Sequence, residues 1–175
     1  PRTFNVDPED VERKITKKTR AIFPVHMNGL SAPMDEILEL AEKYPHSKYG
    51  PLKVIGDAAR SCGAIYKSDK VGSRGWMTAF SFHTRKHMTT LGEGGAITTN
   101  DLSLDQQIRD IRQYGRETAW GSNYKMTSVQ AAVGLVQLKR LDSMINMRIR
   151  LANKRTEILS EIELLTLPYE LNGFK

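Results

Sequence analysis

The sequence predicts an α/β protein built on a mainly parallel sheet flanked by helices. Three observations carry that expectation. Short apolar runs at residues 21–27, 52–55 and 77–82 have the length and composition of strands. A stretch with helical spacing separates the first two, and strand–helix–strand succession favours a parallel pair. The second and third runs also deliver reactive side chains just beyond them, Asp57 and Lys86, and open α/β sheets bind ligands outside the carboxyl ends of their strands.

Taken in order, Asp7-Pro8-Glu9-Asp10 reads as a helix start, with Asp7 as cap, proline in the first turn and acids near the positive end of the dipole. Val11 and Ile15 give this helix its apolar side. The run 21–27 reads as a strand bounded by Asn28-Gly29. Ser31 is placed to cap the next helix, where Met34, Ile37, Leu38 and Ala41 recur on one face. Residues 44–50 are polar loop, and 52–55 begins the strand that carries Asp57. Residues 64–67 suggest another short strand before the turn at Gly72 to Gly75.

After the strand at 77–82, the turn Gly92-Glu93-Gly94-Gly95 leads into a further apolar run at 96–99. Asn100 or Asp101 caps a helix with Leu104, Ile108 and Ile111 on one side, ended by Gly115. Thr127 and Gln130 have the spacing of a capping box. The helix it opens carries Val129, Ala132, Val133 and Val136 and runs on to Leu141. Helical character continues from Ile145 to Ile162, a length that suits an element passing between domains.

Composition narrows the class. A chain of 175 residues with 39% hydrophobic and 26% charged residues can bury one core. No apolar run approaches the ~20 residues of a membrane helix, and no signal-peptide pattern opens the chain. One cysteine, Cys62, excludes an internal disulfide and fits a reducing, cytoplasmic setting, where it reads as a packing residue. The net charge of +6 fits a solvated basic surface or a field for anionic ligands. The basic residues are spread over several helices without interleaved aromatics, so neither nucleic acid nor membrane is an expected partner. His26, His46, His83 and His87 lack metal-ligand spacing, and no metal is expected.

The chemistry centres on Lys86 and Asp57. A lysine just past a buried strand, beside a glycine turn that lets a flat ligand approach the backbone, suits an imine-forming amine. Such an amine works only when its pKa falls below the free value of ~10.4. Alone, Lys86 reads first as a surface lysine, and a helix cap is the competing reading of Asp57. Together they form the pair that pyridoxal phosphate (PLP) requires: an amine to hold it as a Schiff base, and an acid to keep the pyridine nitrogen protonated.

Three blocks, VIGDAARSCGAIYK, AFSFHTRKHMTTLGEGGAITTND and GSNYKMTSVQAAVGLVQLKRLD, resemble successive blocks of the DegT/StrS-type PLP-dependent sugar aminotransferases, in the aspartate aminotransferase superfamily. The resemblance runs in order from about residue 4 to about residue 163. It implies a three-layer large domain, with residues 1–143 its central part and residues 144–175 a connecting helix and the beginning of a C-terminal small domain. Because the family is longer at both ends and the chain opens on Pro1, an internal piece is expected. Such a piece lacks an N-terminal phosphate-cradling loop and most of the small domain.

The resemblance further assigns Lys86 as the Schiff-base and proton-shuttle lysine and Asp57 as partner of the pyridine nitrogen. Ser81 corresponds to a serine that hydrogen-bonds the cofactor phosphate, though strands hold many serines. Asn123 corresponds to an asparagine reaching the phosphate of a neighbouring subunit's cofactor, which implies a homodimer with a shared site; a turn asparagine is the competing reading. Arg60 departs from the family's glutamine or histidine near the ring. It can still donate to the ring oxygen, and it adds positive charge. The implied reaction moves an amino group from an amino acid, with glutamate expected, to a nucleotide-linked keto-sugar. Some relatives carry histidine in place of the lysine and act as dehydratases; here the lysine holds that position and His87 follows it. A regulatory relative or a non-catalytic basic binding module are the remaining alternatives.

Overall fold

A computed structural model describes residues 3–117 and 119–168. The part of the expected small domain that falls at 169–175 lies outside these residues. Among the described residues four α-helices and six strands form in the order α1 (Pro8–Lys14), β1 (Ala21–Ile22), α2 (Met34–Lys43), β2 (Lys53–Asp57), β3 (Ile65–Tyr66), β4 (Asp69–Lys70), β5 (Met77–Ser81), β6 (Gly95–Thr98), α3 (Leu102–Arg112) and α4 (Ser128–Leu159).

The main sheet has the order β1-β2-β5-β6. The first two pairings are parallel, with Ala21 opposite Lys53 and Asp57 opposite Ala79. The last is antiparallel, with Ser81 opposite Gly95. β3 and β4 form a separate hairpin inside the β2-to-β5 crossover.

Alternation divides the sheet into two faces. Val54, Gly56, Thr78 and Phe80 share one of them, and Val54 packs with Ile37, Met34 and Leu40 of α2. Such buried aliphatic side chains contribute about 1.5–3 kcal/mol each. Val11 and Ile15 of α1 pack against the same cluster. Phe80 and Phe82 join Cys62, Met88, Leu141, Met144 and Ile145 in a second one, which seats α4. Ile55, Asp57, Met77, Ala79, Ser81 and Ile97 share the opposite face, where Ile97 is 48% exposed.

Local signals account for most boundaries. Asp7 accepts the Glu9 N–H at 3.0 Å and Pro8 opens α1. Asp101 accepts the Leu104 N–H at 3.0 Å and caps α3. Thr127 and Gln130 make both bonds of the capping box.

Several expectations are corrected. The run 21–27 is regular strand only at Ala21–Ile22, because Pro24 has no N–H to donate; pairing resumes as a bridge between Val25 and Asp57. Ser31 does not cap α2. Pro33 holds that position, and the Ser31 hydroxyl donates to the Ala32 carbonyl at 2.9 Å. α3 ends at Arg112, before Gly115, which lies in a 3-10 turn with φ 76°. α4 runs unbroken through 142–145, where the sequence suggested two stretches. No helix among the described residues is long and apolar enough to cross a membrane.

Candidate active site

Lys86 is carried by the connection between β5 and β6, and hydrogen bonds extend that hairpin past both strands. The Phe82 N–H donates to the Gly94 carbonyl at 2.7 Å and the Thr84 N–H to the Gly92 carbonyl at 3.0 Å. The Thr90 N–H donates to the Phe82 carbonyl at 3.1 Å, and the Lys86 N–H to the His83 carbonyl at 2.9 Å. The segment around the lysine is thus folded back on itself.

The next residues, 87–93, run along α4 in the opposite direction. Arg148 Nη1 donates to the His87 carbonyl at 3.4 Å. Met88 packs with Leu141 and Ile145. Thr90 faces Gly134, where a Cβ would stand 2.9 Å from Thr90 Cγ2. Gln130 Nε2 donates to the Glu93 carbonyl at 3.0 Å. One helix therefore braces the lysine loop over five of its turns.

The glycine turn has a different use from the one expected. A Cβ on Gly94 would lie 2.1 Å from Thr90 Oγ1, and one on Gly95 would lie 2.6 Å from the Phe80 carbonyl oxygen. The glycines at 94 and 95 let the chain approach itself, closing the lysine loop against β5, while a Cβ on Gly92 would meet open space.

Lys86, Arg60, Arg85, Arg148, His83, His87 and Asn28 line a cavity of about 580 Å³. Among the described residues no carboxylate lines it. A second cavity of about 220 Å³ adjoins it, sharing Asn28, His87 and Arg148, and is lined by apolar groups including Leu30, Ala64, Ile145 and Ile149. Burial and the nearby cations Arg148, Lys86 and Arg60 hold the His87 pKa below its ordinary value. Its Nδ1 is buried and, among the described residues, has no hydrogen-bond partner. His83 Nδ1 accepts the Arg85 N–H at 3.1 Å, in keeping with a structural histidine, although its side chain also lines the cavity.

The expected residues fall into three places. Lys86 and Arg60 share the cavity, with Lys86 half-buried and Arg60 exposed. Asp57 and Ser81 lie at the carboxyl ends of β2 and β5 on one face of the sheet, without lining that cavity. Asp57 Oδ1 accepts the Ala59 N–H at 2.9 Å; its second oxygen takes no hydrogen bond among the described residues. The Ser81 hydroxyl accepts the His83 N–H at 3.4 Å. Asn123 stands apart, bridged to Gln113 beyond the end of α3 and exposed.

Sequence reasoning passed over Arg85, Arg148 and Asn28 as cavity residues. Arg148 comes 62 positions after Lys86 on a distant helix, and no local pattern marks it. Cys62 is buried, and burial pushes its thiol pKa up, against any role as a thiolate. Among the described residues no cluster of His, Cys, Asp or Glu can hold a metal.

The family model for the DegT/DnrJ/EryC1/StrS aminotransferase family matches residues 1–172. The chain is 45% identical over 157 residues to GDP-perosamine synthase of Caulobacter vibrioides, covering 86% of this chain and 40% of that protein. It is 35% identical over 168 residues to dTDP-3-amino-3,4,6-trideoxy-alpha-D-glucose transaminase of Streptomyces venezuelae, covering 93% of this chain and 43% of that protein. The fold superposes on S. venezuelae DesV, solved in complex with a ketimine intermediate, with a TM-score of 0.90 and 34% identity, over 98% of this chain and 46% of that one. The chain thus spans less than half the length of each. With the match running almost end to end, the chain belongs to the DegT/DnrJ/EryC1/StrS aminotransferase family.

Proposed function

We propose that this chain carries part of the active site of a PLP-dependent sugar aminotransferase. The enzyme moves an amino group from an amino acid, glutamate in our reading, to a nucleotide-linked keto-sugar in amino-sugar and polysaccharide biosynthesis. The observation that carries this reading is the carboxylate-free cavity joining Lys86 to Arg60, next to the strand end that bears Asp57.

The residues present fit PLP. Lys86 Nζ supplies the amine for a Schiff base, in a cavity whose other cations favour an anionic ligand. The Asp57 oxygen left without a hydrogen bond suits a protonated ring nitrogen. Arg60 is placed to donate to a ring oxygen, and the Ser81 hydroxyl to a phosphate. Asn123, exposed and away from the cavity, is assigned to the phosphate bound by a second subunit, so that a homodimer shares its sites. When bound, PLP supplies an electron sink for charge at the substrate α-carbon.

Within that arrangement Lys86 Nζ takes the proton from the substrate α-carbon and returns it on the other side of the transfer. The bonds that fold the 82–94 segment, together with α4 behind it, hold the amine in place. Glutamate and the sugar nucleotide would occupy the same site in turn, with Lys86 Nζ moving the proton in each half-reaction. The reducing setting implied by the lone Cys62 agrees with a cytoplasmic enzyme.

Borohydride reduction of the PLP-treated protein, followed by peptide mapping, tests the assignment. A pyridoxyl label on Lys86 is expected. Label on another lysine, or none while PLP absorbance persists, would overturn it.

A further inference from the structure

Building on the PLP reading above, we infer that Arg85 and Arg148 form a second anion site in the same cavity, which takes the oxyanion tail of a substrate. Some cations elsewhere in the chain are paired. Arg13, Lys43, Lys67, Lys70, Arg74, Arg109 and Arg116 each contact a carboxylate. The four basic residues of the cavity, Arg60, Arg85, Lys86 and Arg148, have no carboxylate partner among the described residues, and no acid lines the space between them. Concentrating unpaired cations around one concavity opposes folding by mutual repulsion and focuses positive potential there.

PLP accounts for only half of them. Lys86 is consumed as the amine, and Arg60 is assigned to the ring. The phosphate is assigned to Ser81, which does not line the cavity. Two guanidinium groups remain. A guanidinium presents a planar fork that matches carboxylate and phosphate oxygens in bidentate fashion. The Arg85 side chain makes no hydrogen bond among the described residues. Arg148 is the better anchored: it rises from the braced helix α4, and its one side-chain hydrogen bond among the described residues, to the His87 carbonyl, is long at 3.4 Å. It stands on the wall shared with the smaller apolar cavity, so an anion held there has apolar surface alongside it.

The shared ligand chemistry is a dicarboxylate or a diphosphate. The amino-acid donor would bring the first and the sugar nucleotide the second. Because both substrates would occupy one site in turn, a single pair of arginines can serve both.

The test uses the full-length protein and its Arg85→Gln and Arg148→Gln variants, titrated calorimetrically with two unreactive probes, glutarate and inorganic pyrophosphate. The borohydride label at Lys86 is measured alongside. The expected result is about tenfold or more weaker binding of at least one probe in both variants, steepest at about 50 mM salt, with the label retained. Loss for glutarate alone assigns the site to the donor, loss for pyrophosphate alone to the acceptor, and loss for both to a shared tail site. Unchanged affinity for both probes in Arg85→Gln overturns the proposal, whatever happens to the fold of Arg148→Gln. Absence of the Lys86 label in the parent protein, with probe binding intact and arginine-dependent, would sink the PLP assignment and leave the anion site standing.

Discussion

Gln130 bonds in two directions at once: its Oε1 accepts the Thr127 N–H at 2.9 Å, and its Nε2 donates to the Glu93 carbonyl at 3.0 Å. The first bond closes the capping box of α4; the second ties that helix start to the glycine turn before β6. Glutamate at 130 keeps the first function and cannot perform the second, since a carboxylate has no N–H. Gln130→Ala is therefore expected to cost about 1–2 kcal/mol in urea unfolding, and Gln130→Glu roughly half of that. No loss in Gln130→Glu would show that the link to Glu93 contributes nothing.

Gly134 sets how closely α4 approaches the lysine loop. Alanine would gain about 1 kcal/mol of helix propensity. Its Cβ, however, would stand 2.9 Å from Thr90 Cγ2, and Thr90 is buried at 1% exposure with its hydroxyl on the Glu93 carbonyl. The clash outweighs the propensity, so Gly134→Ala is expected to lower stability. Thr90→Ser keeps the hydroxyl and removes the methyl in the way. In the double variant the two changes should cost less than their sum, with about 1 kcal/mol of favourable coupling in a double-mutant cycle. Strict additivity would count against this contact.

Acid should destabilise the protein well above the carboxylate range. His26 is buried at 2% exposure, its Nδ1 accepts the Ala32 N–H at 3.0 Å, and burial lowers its pKa to about 4, with Asp57 opposing weakly. The unfolded chain, with an ordinary histidine near 6.5, binds this proton first. The stabilisation from a neutral His26 is thus complete above pH 6.5 and fades as pH falls toward 4, by about 3 kcal/mol in all. His87, also lowered, acts in the same direction. Urea midpoints measured between about pH 7.5 and pH 4.5 should fall, and His26→Gln should flatten that slope. A slope unchanged in the variant would place the sensitivity elsewhere.

Much of the fold was legible because its signals are local. The Asp7, Asp101 and Thr127 caps are short-range hydrogen bonds, and the apolar spacing of Met34, Ile37 and Ala41 follows from helix geometry alone. The strand at 21–27 misled because apolar composition does not register that Pro24 lacks a donor. Ser31 misled because it is a good cap in isolation, whereas here its hydroxyl serves the Ala32 carbonyl beside His26. Of the candidate site residues, Lys86 and Asp57 could be proposed from strand ends and from resemblance to a family, and of the two only Lys86 lines the cavity. Arg148 could not be proposed in this way: its place in the cavity depends on the packing of α4 along residues 87–93, a relationship between segments far apart in the chain. The glycines at 94 and 95 carried a correct signal of close approach, but only the structure shows that the approaching group is the chain itself.

Asp57 offers the sharpest separation of structure from chemistry. Its backbone is held on both sides, with its N–H on the Pro24 carbonyl and its carbonyl receiving the His26 N–H, each at 2.9 Å. Its side chain contributes a single bond, from the Ala59 N–H at 2.9 Å to Oδ1. Asparagine can keep that bond through its own carbonyl oxygen, so Asp57→Asn should fold normally, with a change in stability below about 1 kcal/mol. What it removes is the negative charge that, in the proposed function, keeps a ring nitrogen protonated. In the full-length protein, PLP uptake and the Lys86 label should persist while the rate of the glutamate half-reaction falls on the order of 10²-fold or more. Single-turnover absorbance measurements would read this directly. A variant that folds, takes up the label and transaminates at the parent rate would show that Asp57 does not face the ring, and that its position at the end of β2 only turns the chain.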